Sequence, residues 1–169
     1  MSKTMKVKKF SKDVPDFKID NKGDWIDLFV ERATISENTE EAIEYNQGFK
    51  DNDFNEGGEI WYNKGDIVIV GLGVAIELPY SHEGEIRPRS STLKKTGLLL
   101  TNSVGTIDES YKGDSDEWQG VFYATRNGMF KRFDRLLQFK VIKKMVKPTI
   151  EYVDTLGNEN RGGYGTSGN

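Results

Sequence analysis

Short runs of β-branched and apolar residues, each closed by a turn, recur along most of the chain, and this alternation constrains the fold more than any other feature. The runs fall at Lys6–Phe10, Trp25–Val30, Asp66–Leu78, Glu85–Pro88, Leu98–Asn102, Val121–Thr125, Arg135–Met145 and Thr149–Val153. Between them stand breakers such as Lys64-Gly65-Asp66, His82-Glu83-Gly84, Lys112-Gly113-Asp114 and Arg126-Asn127-Gly128. Short strands with turns at this spacing lead to a β-sandwich, jelly roll or barrel. Gly71 and Gly73 inside the longest run predict a bulge or bend. Only Thr39–Gln47 has helical character, with Thr39 as N-cap and Glu40 and Glu41 in the first turn. A chain of 169 residues has room for one domain with a real core. The expected class is all-β.

What the chain lacks narrows its chemistry. It has no Cys, hence no disulfide framework, thiolate nucleophile or Cys-based metal centre. Its single histidine, His82, lies in the polar stretch Tyr80-Ser81-His82-Glu83-Gly84, where a structural or solvent-facing role is the simpler reading than a triad. An enzyme built from these residues works with carboxylates, hydroxyls, Arg and Lys, backbone amides and a borrowed hard cation such as Mg²⁺. That inventory fits phosphate chemistry. No run approaches the ~20 apolar residues of a membrane helix. Met1–Phe10 has four lysines but no apolar stretch of the kind a secretory signal needs, so the cytoplasm is the expected address.

A net charge of −3 argues against a general nucleic-acid coat protein. The charge is unevenly placed: eight acids and Lys50 between Glu37 and Glu59 give a local −7, leaving the remainder at +4. The remainder is suited to a polyanionic ligand. The acidic stretch, with Tyr45, Phe49 and Phe54, reads as an insertion at about 37–61 within a β domain spanning 1–159. It is either a solvated arm or a surface for a protein partner. Residues 160–169 are too Gly-rich to fold alone and read as a flexible tail or as a lid, with Gly amides and Arg161, Thr166 and Ser167 for phosphate oxygens.

Three internal segments carry candidate chemistry. Arg87-Pro88-Arg89-Ser90-Ser91 offers a guanidinium fork and two hydroxyls, a phosphate grip. Gly105-Thr106-Ile107-Asp108-Glu109-Ser110-Tyr111-Lys112-Gly113 reads as a hairpin that sets Asp108 and Tyr111 on one compact turn. There Asp108 is a candidate general base and Tyr111 a candidate sugar platform, each against the plainer reading of a surface Asp and a core Tyr. In Gly23-Asp24-Trp25-Ile26-Asp27-Leu28, Asp27 opens an apolar strand and is a candidate partner for hydrated Mg²⁺.

Taken in order, these segments together with Asp134-Arg135-Leu136-Leu137-Gln138 and the tail Arg161-Gly162-Gly163-Tyr164-Gly165-Thr166-Ser167-Gly168 resemble the five motifs of the trimeric dUTPases. The wording around Gly23–Leu28, Asp108–Asp114 and Trp118 is similar to the subgroup of Gram-positive bacteria and their phages. The resemblance implies a distorted jelly-roll barrel with a C-terminal capping arm, assembled as a homotrimer in the cytoplasm of a bacterium or phage-infected host. It implies hydrolysis of deoxyuridine triphosphate (dUTP) to dUMP and pyrophosphate. One subunit would offer Arg89, Ser90, Ser91 and Gln138 to the phosphates, with Asp27 reaching Mg²⁺ through water. A second would offer Asn102, Gly105, Thr106 and Ile107 to uracil, Tyr111 to the deoxyribose and Asp108 as base. A third would close Arg161, Gly163, Tyr164, Gly165, Thr166 and Ser167 over the nucleotide.

Several positions depart from the family pattern. The first motif reads Asp24-Trp25-Ile26-Asp27 where Ala-Gly-aromatic-Asp is usual; Phe133 precedes Asp134 where Gly is usual; Leu137 replaces a small residue; and Tyr164 stands where Phe is commoner. None removes a functional group. Two other readings stay open: a dCTP deaminase of the same superfamily, which would have Trp or Phe at position 111 and a catalytic Glu on the following strand, and a regulatory protein that engages a repressor or other partner through the acidic insertion.

Overall fold

The computed structural model describes residues 4–19, 23–36, 52–160 and 162. Among them the chain forms β1 (Lys6–Lys9), β2 (Ile26–Leu28), β3 (Arg32–Ser36), β4 (Glu59–Tyr62), β5 (Ile67–Gly71), β6 (Val74–Glu77) and β7 (His82–Pro88). One helical turn, α1 (Thr92–Thr96), follows, then β8 (Leu98–Leu100), β9 (Gly105–Ile107), β10 (Gln119–Ala124), β11 (Gly128–Lys131) and β12 (Leu137–Lys143).

Two four-stranded sheets, β3-β5-β10-β8 and β2-β12-β7-β9, are joined by the two-stranded ribbons β1-β6 and β11-β4. Every pair is antiparallel. The sheets do not close on themselves, and the fold is a distorted jelly roll. Period-two alternation sends Phe122 and Ala124 of β10 and Leu137 and Phe139 of β12 inward. Trp118 meets Phe139 edge to face at 5.1 Å, and Phe130 joins them in the core. β5 is buried along its whole length: Val68 and Val70 enter that core, while Ile67 and Ile69 pack with Val121 on the other face of the sheet.

The predicted run Asp66–Leu78 is two strands. Gly73, at φ +64°, turns the chain between them, and a Cβ there would lie 2.7 Å from Val14 Cγ2 and 2.8 Å from Glu31 Cβ. The other expected strands are present, most of them with shifted ends, except Thr149–Val153, which is exposed coil because no strand among the described residues pairs with it. β3, β4, β11 and α1 were not anticipated. β4 lies at the end of the expected insertion, and its Ile60 and Tyr62 are core residues. His82 opens β7 rather than sitting in a turn, with Nδ1 2.8 Å from Tyr80 O. The helix expected at Thr39–Gln47 lies outside the described residues. No helix of the described residues is long and apolar enough to cross a membrane.

Candidate active site

The sheet β2-β12-β7-β9 positions most of the candidate residues. Register sets Gln138 of β12 between Asp27 of β2 and Arg87 of β7, so these side chains share a face. The chain leaves β7 at Pro88, and Arg89 N–H donates to Leu136 O at 3.1 Å. Buried Thr92 secures the loop from below, its hydroxyl donating to the same Leu136 carbonyl at 2.7 Å. Arg89 is thereby directed at Asp27, with Nε 2.7 Å from Oδ1, while Arg135 Nη1 lies 2.9 Å from Oδ2. Gln138 Nε2 lies 3.4 Å from Pro88 O, Ser90 is exposed and Ser91 half-buried. Arg89, Ser91, Lys95 and Arg135 line a shallow cavity of about 210 Å³. A half-buried carboxylate between two guanidinium groups, with hydroxyls alongside, is a setting for a polyanion.

Asn102 stands in the exposed turn between β8 and β9, beside Ser103 at φ +58°. Gly105, Thr106 and Ile107 form β9, whose Gly105 and Ile107 oppose Ile86 and Gly84 of β7. The segment is not a hairpin: β9 pairs with β7, while β8 and β10 belong to the other sheet. The compact turn is present all the same. Asp108 Oδ1 accepts the Ser110 N–H at 2.8 Å and the Ser110 hydroxyl at 2.7 Å. Those two bonds, Ser110 N–H first, hold the Asp108 carboxyl below the usual carboxylate range, with Lys144 helping. Tyr111 N–H donates to Asp108 O at 3.0 Å and its hydroxyl donates to Glu117 O at 3.1 Å. Burial and then the nearby Asp116 and Glu117 raise the Tyr111 phenol, so it stays a donor.

Behind that turn lies a buried charge network. Glu117 Oε1 accepts the Gly73 N–H at 2.9 Å and Oε2 contacts Arg32; Glu31 Oε1 pairs with Arg132 Nη2 at 2.8 Å. The network ties the Tyr111 turn to the bend at Gly73.

The two groups of candidate residues are far apart. Ile107 opposes Gly84 and Leu137 opposes Pro88, so Asp108 is level with Glu83, and Arg89, just past the end of β7, lies six residues further along. At ~3.3 Å per residue this is about 20 Å, on opposite ends of the sheet. Asp27 is also on the opposite edge strand from β9.

No family model matches the chain. Over 116 residues it is 46% identical to the SPβ prophage-derived deoxyuridine 5'-triphosphate nucleotidohydrolase of Bacillus subtilis, an alignment covering 69% of this chain and 82% of that protein. The chain belongs to the dUTPase family. It is also 34% identical over 116 residues to the deoxyuridine 5'-triphosphate nucleotidohydrolase of Caldanaerobacter subterraneus, covering 68% of this chain and 77% of that protein. Among solved structures, the dUTPase of Staphylococcus bacteriophage 80alpha with dUpNHpp superposes at TM-score 0.66 with 14% identity, over 99% of each chain. A mutant dUTPase from phage phi11 of S. aureus, which shows a coordinated structural Mg(II) ion, gives 0.64 at 14% identity, over 90% of this chain and 98% of that one. Both confirm the jelly-roll dUTPase fold.

Within this dUTPase, Asp27, Arg89, Ser90, Ser91 and Gln138 gather at one corner of the sheet and Gly105, Thr106, Ile107, Asp108 and Tyr111 at another, with Asn102 in the turn that leads into β9. Arg161, Gly163, Tyr164, Gly165, Thr166 and Ser167 lie outside the described residues. Arg135, outside the expected set, joins this corner through its ion pair with Asp27; an Arg beside a strand that pairs with Asp27 is the signal the sequence offers for it.

Proposed function

We propose that this chain hydrolyses dUTP to dUMP and pyrophosphate, at sites each completed by more than one copy. Membership of the dUTPase family carries the reading, and the separation of the candidate residues supports a division of the work between copies. A base must come within ~3.2 Å of the water it deprotonates. A phosphate chain held by Arg89 beside Asp27, with backbones about 20 Å apart along the sheet, favours a base from elsewhere over Asp108 of the same chain. A second copy supplying Asp108 removes the conflict.

The arm after β12 supports the same conclusion. Val146, Tyr152 and Leu156 are 83%, 93% and 81% exposed, an apolar run that suits a seat on a neighbouring copy. A homotrimer, with the Gly-rich tail of a third copy closing Arg161 and Tyr164 over the nucleotide, accounts for both features.

In such a site Arg89, Arg135, Ser90, Ser91 and Gln138 bind and orient the phosphates, leaving the α-phosphorus to in-line attack. Asp108 takes the proton of the attacking water as the bond to the pyrophosphate oxygen breaks. Tyr111, fixed by its bond to Glu117 O, packs on the sugar and leaves no room for a 2′-hydroxyl. The amides and carbonyls of Gly105–Ile107, with Asn102, read the uracil edge, where a mismatched base would strand buried polar groups.

Mg²⁺ fits this arrangement as a substrate-borne ion. No cluster of three metal-ligating side chains occurs among the described residues; Asp27 would offer a carboxylate whose lone pairs beyond its two Arg partners could accept from a metal-bound water. When bound, the ion neutralises phosphate charge and so lowers the barrier to attack at phosphorus. The test is a dUTP assay with Mg(II), with EDTA and with Asp108→Asn. Wild type with Mg(II) is expected to release dUMP and pyrophosphate, EDTA to suppress turnover, and the variant to bind nucleotide while losing most of it. Ammonia release from dCTP instead would point to a deaminase.

A further inference from the structure

We infer that Lys144 is a positioning residue for Asp108, holding the carboxylate as an anion with one oxygen presented to the attacking water. The inference rests on the reading of Asp108 as the base. Ser110 occupies Oδ1 through both its N–H and its hydroxyl, which leaves Oδ2 to receive a proton. Lys144 Nζ lies 4.0 Å from that oxygen and 3.4 Å from Glu109 Oε2 in the same turn.

The fold fixes this approach. Lys144 directly follows β12, its N–H donates to Ser81 O at 2.9 Å, and Lys143 opposes His82. Its side chain therefore reaches across the start of β7 to a turn that follows β9. The turn of Asp108 carries Glu109, Tyr111 and Lys112, the register sets Glu83 and His82 of β7 alongside it, and Lys144 and Lys147 approach from the segment after β12. Of these, Lys144 and, more weakly, Lys147 act with Ser110 to favour the carboxylate.

The chemistry gives such a cation work to do. A triphosphate arriving beside Asp108 brings several negative charges, which raise the affinity of the carboxylate for its proton. A base already protonated accepts nothing from water. Ser110 is neutral, whereas an ammonium about 4 Å away opposes the field of the substrate directly. If Lys144 merely made a surface ion pair with Glu109, it would leave the ionisation of Asp108 in the complex untouched.

The dependence of kcat on pH, measured on the full chain for wild type and the variants Lys144→Met, Lys144→Arg and Asp108→Asn, decides between these. The acid limb of kcat is expected to move to higher pH in Lys144→Met, with kcat on the limb falling roughly two- to fivefold relative to the plateau, the scale of one exposed charge pair. Lys144→Arg is expected to restore the wild-type limb. An unmoved limb in Lys144→Met, with Asp108→Asn inactive, overturns the inference and leaves the base reading standing. A raised KM with an unmoved limb overturns it too and makes Lys144 a substrate contact. Full turnover in Asp108→Asn removes the base reading, and this inference with it.

Discussion

If each active site takes its phosphate grip from one copy and its base from another, two differently disabled chains should rescue each other. Arg89→Ala removes the guanidinium beside Asp27, and Asp108→Asn removes the base; the groups stand about 20 Å apart on one chain. Either variant alone should be nearly inactive. Co-refolded in equal amounts, they assemble at random, and a site is intact only when its grip comes from the Asp108→Asn chain and its base from the Arg89→Ala chain. Each condition is met half the time, so about a quarter of sites recover in a closed ring of identical interfaces. The assay is steady-state pyrophosphate release before and after co-refolding, with simple mixing of folded proteins as the control. Activity no higher than the sum of the two variants would refute the argument, because it would mean that Arg89 and Asp108 serve one site from the same chain.

Two further outcomes concern the framework that carries the site. Gly73→Ala imposes a side chain on a φ of +64° and pushes it into Val14 and Glu31; adding αL strain to overpacking, it should lower stability by about 2–5 kcal/mol, read as a urea midpoint shift. An unchanged midpoint would show that the bend between β5 and β6 relaxes freely. Burial raises the Glu117 carboxyl against the Gly73 N–H and Arg32, which pull it down. A carboxyl raised in the folded state binds its proton more tightly when folded, so its contribution is in place below the ordinary carboxylate range and is lost as pH rises through the raised value. Wild type should therefore lose stability across that window relative to Glu117→Gln, and parallel stability–pH curves would count against it.

The legible strands were those whose own residues announce them. β5, β10 and β12 carry β-branched or aromatic residues at high density, and the Gly71-Leu72-Gly73 spacing marked the bend. β3 reads Arg-Ala-Thr-Ile-Ser, β4 begins at the end of the acidic stretch, and β11 starts inside a Gly turn; each is a strand because a neighbour offers a ladder. Thr149–Val153 shows the converse, with β-forming residues but no partner strand among the described residues. Five residues of α1 are too few for helical periodicity to register.

The site divides along the same line. Residue types and their order identified the family, because Arg89, Asp108 and Gln138 are recognisable wherever they stand. Distances between them were not legible, since a hairpin drawn around Asp108 would have left its place relative to Arg89 undetermined. Only the register of Ile107 against Gly84, and of Leu137 against Pro88, sends Asp108 and Arg89 to opposite ends of one sheet. Lys144 was hidden for the same reason: in sequence it is one lysine among Lys140, Lys143 and Lys147, and it gains meaning because β12 ends where β9 begins its turn. If a second copy completes each site, assembly is a condition of chemistry, and polar substitutions at Val146, Tyr152 or Leu156 of the exposed arm after β12 should lower turnover in step with the loss of oligomer.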